Sequence, residues 1–270
     1  MTDWLNLLIK CSQQIRKEVL PLFGSADASV GFGIGAGGDV IKKIDLVAEG
    51  ALIKTLRDHG VSCTLISEEG GTKEVGPEPS GLYLTADPLD GTTNAVRGLP
   101  FMAVSIAVSR TPYLQDVETA LVCDLFHNVT YTAEQGQGAF RNGGKIKPSL
   151  TSSLEEAVVG IDFNTFKIGE LITRLTPVLR ETKHLRHFGA NALEICYVAD
   201  GNTDAFIDLR GKLRVTDIAA AYLILREAGG VMVTPEGTKI NVPLEAAQRV
   251  SFIAASNITL YERIKELLAL

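Results

Sequence analysis

A chain of 270 residues, 46% hydrophobic and 21% charged, is globular and soluble in composition and long enough to bury a large core, as one big domain or two modest ones sharing a cleft. Its formal charge of −6 and the absence of a long basic run give no reason to expect nucleic acid as a partner. The four cysteines are far apart without C-x-x-C spacing, the start carries no basic cluster and polar residues interrupt every apolar run; the expectation is a cytoplasmic protein with reduced thiols, not bound to a membrane.

In chain order, residues 3–22 place Trp4, Leu7, Leu8, Cys11, Ile15, Val19 and Leu22 at helical spacing, an amphipathic helix ended by Pro21 and Gly24. A glycine-rich stretch, 31–38, follows and is expected to be a mobile loop. Residues 45–59 make a second helix. Strands are expected at 62–67 and 81–86, then at 103–109, 116–124 and 129–135, the last three antiparallel because short turns join them. After a polar segment at 147–156 the elements alternate: strand 157–162, helix 168–180, strand 183–188, helix 191–200, strand 203–209, helix 216–227, strands 230–234 and 251–255, and a closing helix 258–268. A boundary near Ser149 divides residues 1–149, an α+β half, from 150–270, an α/β half.

The segment Gly33-Ile34-Gly35-Ala36-Gly37-Gly38 fits the dinucleotide pattern G-x-G-x-x-G. That fingerprint needs a strand before it and a helix opening at its last glycine, because the pyrophosphate rests on that helix end. Here a helix precedes it and a polar stretch follows, so a loop that folds over a site is the better reading, with a plain surface linker as its alternative.

The run Asp87-Pro88-Leu89-Asp90-Gly91-Thr92-Thr93-Asn94 follows an apolar strand. Pro88 is expected to stop that strand, so Asp87 ends it and Asp90 turns toward the same point. Two carboxylates with the Leu89 carbonyl between them offer the oxygen donors that a hard cation requires. Gly91 permits a tight turn, and Thr92-Thr93-Asn94 can open a helix whose amides face an anion. Ser67-Glu68-Glu69 ends a neighbouring strand in the same way; read alone, it is equally a solvated pair. In Arg214-Val215-Thr216-Asp217-Ile218-Ala219, Asp217 opens a helix of small residues and can serve as its cap, as a ligand, or as both.

Together these segments resemble the inositol monophosphatase superfamily of metal-dependent phosphatases over essentially the whole chain. The Glu-Glu strand end, Asp-Pro-x-Asp-Gly-Thr-Thr-Asn and a distal Asp before an Ala-Gly-Gly helix end occur in that family's order. The stretches 94–100, 199–204 and 207–214 are similar to its archaeal branch, which acts on both fructose 1,6-bisphosphate and myo-inositol monophosphates. The resemblance implies a layered αβαβα sandwich of the sugar-phosphatase type and two or three Mg²⁺ per site, with Mn²⁺ as a substitute. It also implies a homodimer acting on a small sugar or inositol phosphate.

Residue by residue, it implies that Glu68, Asp87 and the Leu89 carbonyl hold one metal and that Asp87, Asp90 and Asp217 hold a second, with Glu68 facing a weaker third through water. Asp45 and Thr92 would form a hydrogen-bonded pair that helps deprotonate the attacking water, and the amides of Gly91 and Thr92 would hold the phosphate. Metals lower the pKa of water, neutralise the ester and stabilise the leaving alkoxide. Asp208 falls where the family binds sugar hydroxyls. Arg186, Arg210 and Lys212 match basic positions near the remote end of the substrate, and Arg97 is a further candidate. Gly189 and Ala190 lie where the family has glycine and then a hydroxyl residue; Ala190-Asn191 departs from that pattern, as does Lys42 in the loop.

No serine or cysteine has the setting of a covalent hydrolase, so water is expected to attack directly. The alternatives are a 3′(2′),5′-bisphosphate nucleotidase or NADP phosphatase of the same superfamily and, in another class, a noncatalytic metabolite-binding regulatory protein.

Overall fold

The computed structural model describes residues 3–36, 38, 40–78, 81–166 and 168–268. Gly37 and Asp39, part of the glycine-rich stretch and the polar segment after it, lie outside the described residues. Helix α1 (Trp4–Val19) begins where Asp3 accepts the Asn6 amide at 3.1 Å, and its Leu8, Cys11, Ile15 and Val19 are fully buried. The expected loop is instead an antiparallel hairpin, β1 (Gly31–Ile34) with β2 (Val40–Lys42), whose first strand is exposed at every position. Helix α2 (Lys43–Asp58) starts directly at its end.

Eight strands form the first sheet: β3 (Cys63–Ser67), β4 (Gly71–Val75), β5 (Tyr83–Asp90), β6 (Ala103–Ser109), β7 (Val117–Asp124), β8 (Val129–Glu134), β9 (Gly138–Arg141) and β10 (Gly144–Lys145). Between β5 and β6 lies the short helix α3 (Thr92–Arg97). The spatial order is β10-β9-β8-β7-β6-β5-β3-β4, antiparallel except where β3 lies parallel to β5. The sequence reading lacked β4, β9 and β10, and it ended β5 too early.

The chain then enters a five-stranded sheet through β11 (Val158–Ile161), α4 (Ile168–Glu181), β12 (His184–Arg186), α5 (Asn191–Ala199), β13 (Ala205–Arg214), α6 (Val215–Ala228), β14 (Val231–Val233), β15 (Arg249–Ala255) and α7 (Ile258–Leu268). Its order is β12-β11-β13-β15-β14.

Side-chain alternation assigns the layers. In β6, Val104, Ile106 and Val108 pack with Leu8, Ile15, Leu52 and Leu56 of α1 and α2, whereas Ala103 and Ala107 face α5 and α6. In the second sheet, Phe206, Phe252 and Ala254 face α5 and α6 from the other side, while Ile207 and Ile253 pack on Leu175, Leu260 and Ile264 of α4 and α7. The result is an αβαβα sandwich. Both faces of each central strand are covered, which is why these strands read as continuous apolar runs. Helix α6 lies between two sheets, and its buried Ala219, Ala220 and Ala221 keep it thin enough to fit. All four cysteines are buried and unpaired. Among the described residues, no helix is long and apolar enough to cross a membrane.

Candidate active site

Parallel pairing of β3 with β5 sets Ser67 opposite Ala86, so Glu68 and Asp87 leave the same edge of the sheet side by side; the Glu68 amide donates to the Ala86 carbonyl at 3.2 Å. Contrary to expectation, pairing of β5 with β6 resumes after Asp87: Asp90 faces Ala103, with a register shift between the two aspartates. Pro88 has no N–H to give, so the strand bulges there and does not stop. The Leu89 amide closes the bulge on Asp87 Oδ1 at 3.0 Å. Gly91 then takes φ 88°, and a Cβ there would lie 3.0 Å from the Phe101 carbonyl and 3.1 Å from Ala190 Cβ; α3 starts at the next residue, as expected.

Asp217, third residue of α6, is both cap and cluster member. Its Oδ2 accepts the Arg214 amide at 2.9 Å and its Oδ1 the Thr216 hydroxyl at 3.1 Å. Glu68, Asp87 and Asp217 each offer a carboxylate oxygen within 4.8 Å of the others. Asp90 is not one of these three. Its two oxygens accept the amides of Asn191 at 3.0 Å and Ala192 at 2.7 Å, so it caps α5 and ties the first sheet to the second half of the chain. Asn94 adds a second tie, donating to the carbonyls of Phe101 and Phe188 at 2.8 and 2.7 Å.

The Thr92 hydroxyl lies between two acceptors, Asp45 Oδ1 at 2.8 Å and the Leu89 carbonyl at 3.1 Å. Asp45 in turn receives the Lys42 amide on Oδ2 at 2.8 Å. Asp45, Glu68, Asp87, Leu89, Asp90, Gly91, Thr92, Gly189 and Asp217 all border one cavity of about 690 Å³.

Lys42 and Asn191 border it too, whereas Arg97, Arg186, Ala190, Asp208, Arg210 and Lys212 are not among the residues that line it. Asp208 is fully buried and accepts from its near neighbour Arg210, Nε at 3.1 and 3.2 Å, and Arg210 also pairs with Asp162 at 2.6 Å. Arg210 and Lys212 border a second cavity of about 420 Å³ instead. Arg186 is exposed and donates to the Leu185 carbonyl, Arg97 is exposed at the end of α3, and Ala190 is buried as the N-cap of α5.

Two functional neighbours escaped the sequence reading. Arg214 borders the cavity and pairs with Glu68 at 2.6 Å. Glu194 accepts the amides of Phe188 and Gly189 at 3.2 and 2.9 Å, which shapes the loop facing Gly91, and burial pushes its pKa up to about 7. The one local signal for Arg214 was its place three residues before the helix-opening acid.

Burial and mutual repulsion govern the electrostatics. Glu68 and Asp87 are held well above the usual carboxylate range, first by burial and then by neighbouring carboxylates, with Arg214 opposing the rise at Glu68. Burial also raises Asp217 and Asp45. Burial, followed by the Asp217 charge, pushes Asp90 up to about 8. An unfolded aspartate titrates near about 3.9. Between these values the metal-free folded chain holds a proton that the unfolded chain has released, so this contribution strengthens as pH falls from about 8 toward 4. A divalent cation held by Asp90 would have to displace that proton. The rise in melting temperature on adding saturating Mg²⁺ is therefore expected to be larger at pH about 8.5 than at about 6. A rise of equal size at both pH values, measured by scanning calorimetry, would contradict this.

The model of the inositol monophosphatase family matches residues 7–269. A fructose-1,6-bisphosphatase/inositol-1-monophosphatase of Methanothermobacter thermautotrophicus is 39% identical over 98% of this chain and 96% of its own length. A bifunctional NADP phosphatase/NAD kinase of Methanococcus maripaludis is 34% identical over 97% of this chain but only 48% of its own length. A solved inositol monophosphatase-fructose 1,6 bisphosphatase superposes with a TM-score of 0.85 at 30% identity, covering 98% of this chain and all of that one. With an αβαβα sandwich and a carboxylate cluster in its cleft, the chain belongs to the inositol monophosphatase family and is one of its phosphatases.

Proposed function

We propose that this phosphatase is a Mg²⁺-dependent enzyme that removes the C1 phosphate of fructose 1,6-bisphosphate and hydrolyses myo-inositol 1-phosphate by direct attack of water. The observation that carries the reading is the convergence of the Glu68, Asp87 and Asp217 carboxylates with the Thr92–Asp45 hydrogen bond on one cavity. An all-oxygen donor set suits Mg²⁺, with Mn²⁺ as a substitute, and Glu68, Asp87, the Leu89 carbonyl, Asp90 and Asp217 would hold it. When bound, the metal lowers the pKa of water and neutralises the charge of the phosphate ester.

The chain's own groups do the rest. Asp45, linked through the Thr92 hydroxyl, accepts the proton of the attacking water. The amides of Gly91 and Thr92 bind the phosphate, and Gly91 takes the φ of 88° that the turn ahead of α3 requires. Lys212, on the second cavity, supports a substrate with a second phosphate, while Arg210 beside it is held by Asp162 and Asp208. In this reading Asp208 acts on the substrate only by holding Arg210.

The similarity to an NADP phosphatase over nearly the whole chain favours a second reading, that a nucleotide phosphate is the substrate. Phosphate release with Mg²⁺ at equal concentrations of fructose 1,6-bisphosphate, inositol 1-phosphate, NADP and adenosine 3′,5′-bisphosphate separates the two. The sugar and inositol phosphates are expected to be turned over at least about tenfold faster; a reversed order would replace the first reading with the second.

A further inference from the structure

The guanidinium of Arg214, at the junction of β13 and α6, lies 2.6 Å from Glu68 Oε1 and 4.0 Å from Asp217 Oδ2, and its backbone amide donates to the same Asp217 oxygen at 2.9 Å. The Arg214 and Glu68 side chains are only 12% and 16% exposed, so solvent screens the pair little. Glu68 and Asp217 are two of the three carboxylates that converge within 4.8 Å. One edge of the cluster thus already faces a positive charge that belongs to the chain. An arginine neither loses its proton nor dissociates, so that charge does not depend on the concentration of any ion.

We infer that Arg214 is a fixed cation of the site: it takes the Glu68–Asp217 edge in place of one divalent ion and confines the exchangeable ions to the positions around Asp87. The inference rests on the metal-dependent reading above and adds a residue that sets how many ions the site holds. Arg214 also links the two parts of the cluster, since its side chain engages a ligand after β3 and its amide engages a ligand on α6. Its position therefore holds Glu68 and Asp217 in a common arrangement before any ion arrives.

Counting Mn²⁺ tests this directly. The full chain, stripped of divalent ions, is titrated with Mn²⁺ while the free ion is followed by electron paramagnetic resonance, for wild type, Arg214→Gln and Arg214→Lys. Arg214→Gln is expected to bind one more Mn²⁺ per chain than wild type, and Arg214→Lys, which keeps the charge, the wild-type number. An unchanged or lower count in a folded Arg214→Gln protein would overturn the inference while leaving the metal-dependent reading intact. Wild type that binds no Mn²⁺ would overturn both. Should Arg214→Gln fail to fold, anomalous diffraction from wild-type crystals soaked in Mn²⁺ decides the matter. The guanidinium is expected to remain on Glu68 with no ion on the Glu68–Asp217 edge; an ion there with Arg214 displaced would refute the assignment.

Discussion

Replacing Asp90 with asparagine is expected to lower Mg²⁺-dependent phosphate release on the order of 10³-fold, with a much smaller effect on the stability of the metal-free protein. The two effects separate because Asp90 has two tasks. In the proposed reading it would join, as an anion, the donor set around Asp87; as an acceptor it caps α5 through the amides of Asn191 and Ala192. Asparagine keeps one carbonyl oxygen for an amide but turns an NH₂ group toward the other, a loss of about 1 kcal/mol by analogy with helix caps. The Mg²⁺-induced rise in melting temperature should disappear together with activity. Asp90→Ala distinguishes the tasks further: it abandons both amides and should cost the metal-free protein about 1–2 kcal/mol. Phosphate release by Asp90→Asn at the wild-type rate would show that this carboxylate has no part in the chemistry.

Thr92→Val should reduce kcat by about 10²- to 10⁴-fold while leaving Mg²⁺ affinity and KM near their wild-type values. Valine matches threonine in shape but leaves Asp45 Oδ1 without the donor that now lies 2.8 Å away. Among the described residues, Asp45 then keeps only the Lys42 amide, on its other oxygen. If the two side chains act as one proton-accepting unit, Asp45→Asn should give a loss of similar size, and the double variant should be little worse than either single one. Multiplicative losses in steady-state kinetics would show instead that Thr92 and Asp45 act separately. A change confined to KM would place Thr92 in substrate binding alone.

The legible parts of the sequence were those whose neighbours lie close in the chain or whose periodicity is strong. Helices α1 and α7 and strands β6 and β7 follow from apolar spacing, and α3 follows from Gly91 and the residues after it. Strands β4, β9 and β10 are five, four and two residues long and only partly buried or exposed, so neither alternation nor length marked them. The hairpin β1–β2 buries almost nothing, and its glycines read as a loop because its stability comes from backbone pairing, which leaves no hydrophobic signature. The proline of β5 was a fair reason to end a strand. What it did was bulge one, since the partner β6 continues on the far side and recovers the pairing at Asp90.

In the site, the strand ends at Glu68 and Asp87 pointed to a shared metal, but spacing left Asp217 open between cap and ligand, because the passage of α6 between two sheets is what brings it to them. The substrate side was least legible. Arg210 and Lys212 are basic residues whose sequence neighbourhood gives no direction, and the structure turns Arg210 toward Asp162 and Asp208. Arg214 and Glu68 belong to opposite halves of the chain, so no spacing rule connects them.

The central claim is that hydrolysis depends on divalent ions held by the carboxylate cluster. Its most direct test is phosphate release from fructose 1,6-bisphosphate by the protein stripped of divalent ions with a chelator and then repleted with Mg²⁺. The stripped protein should release no phosphate above the uncatalysed background, and Mg²⁺ should restore activity along a saturable curve that Asp90→Asn lacks. Undiminished release by the stripped protein would contradict the account.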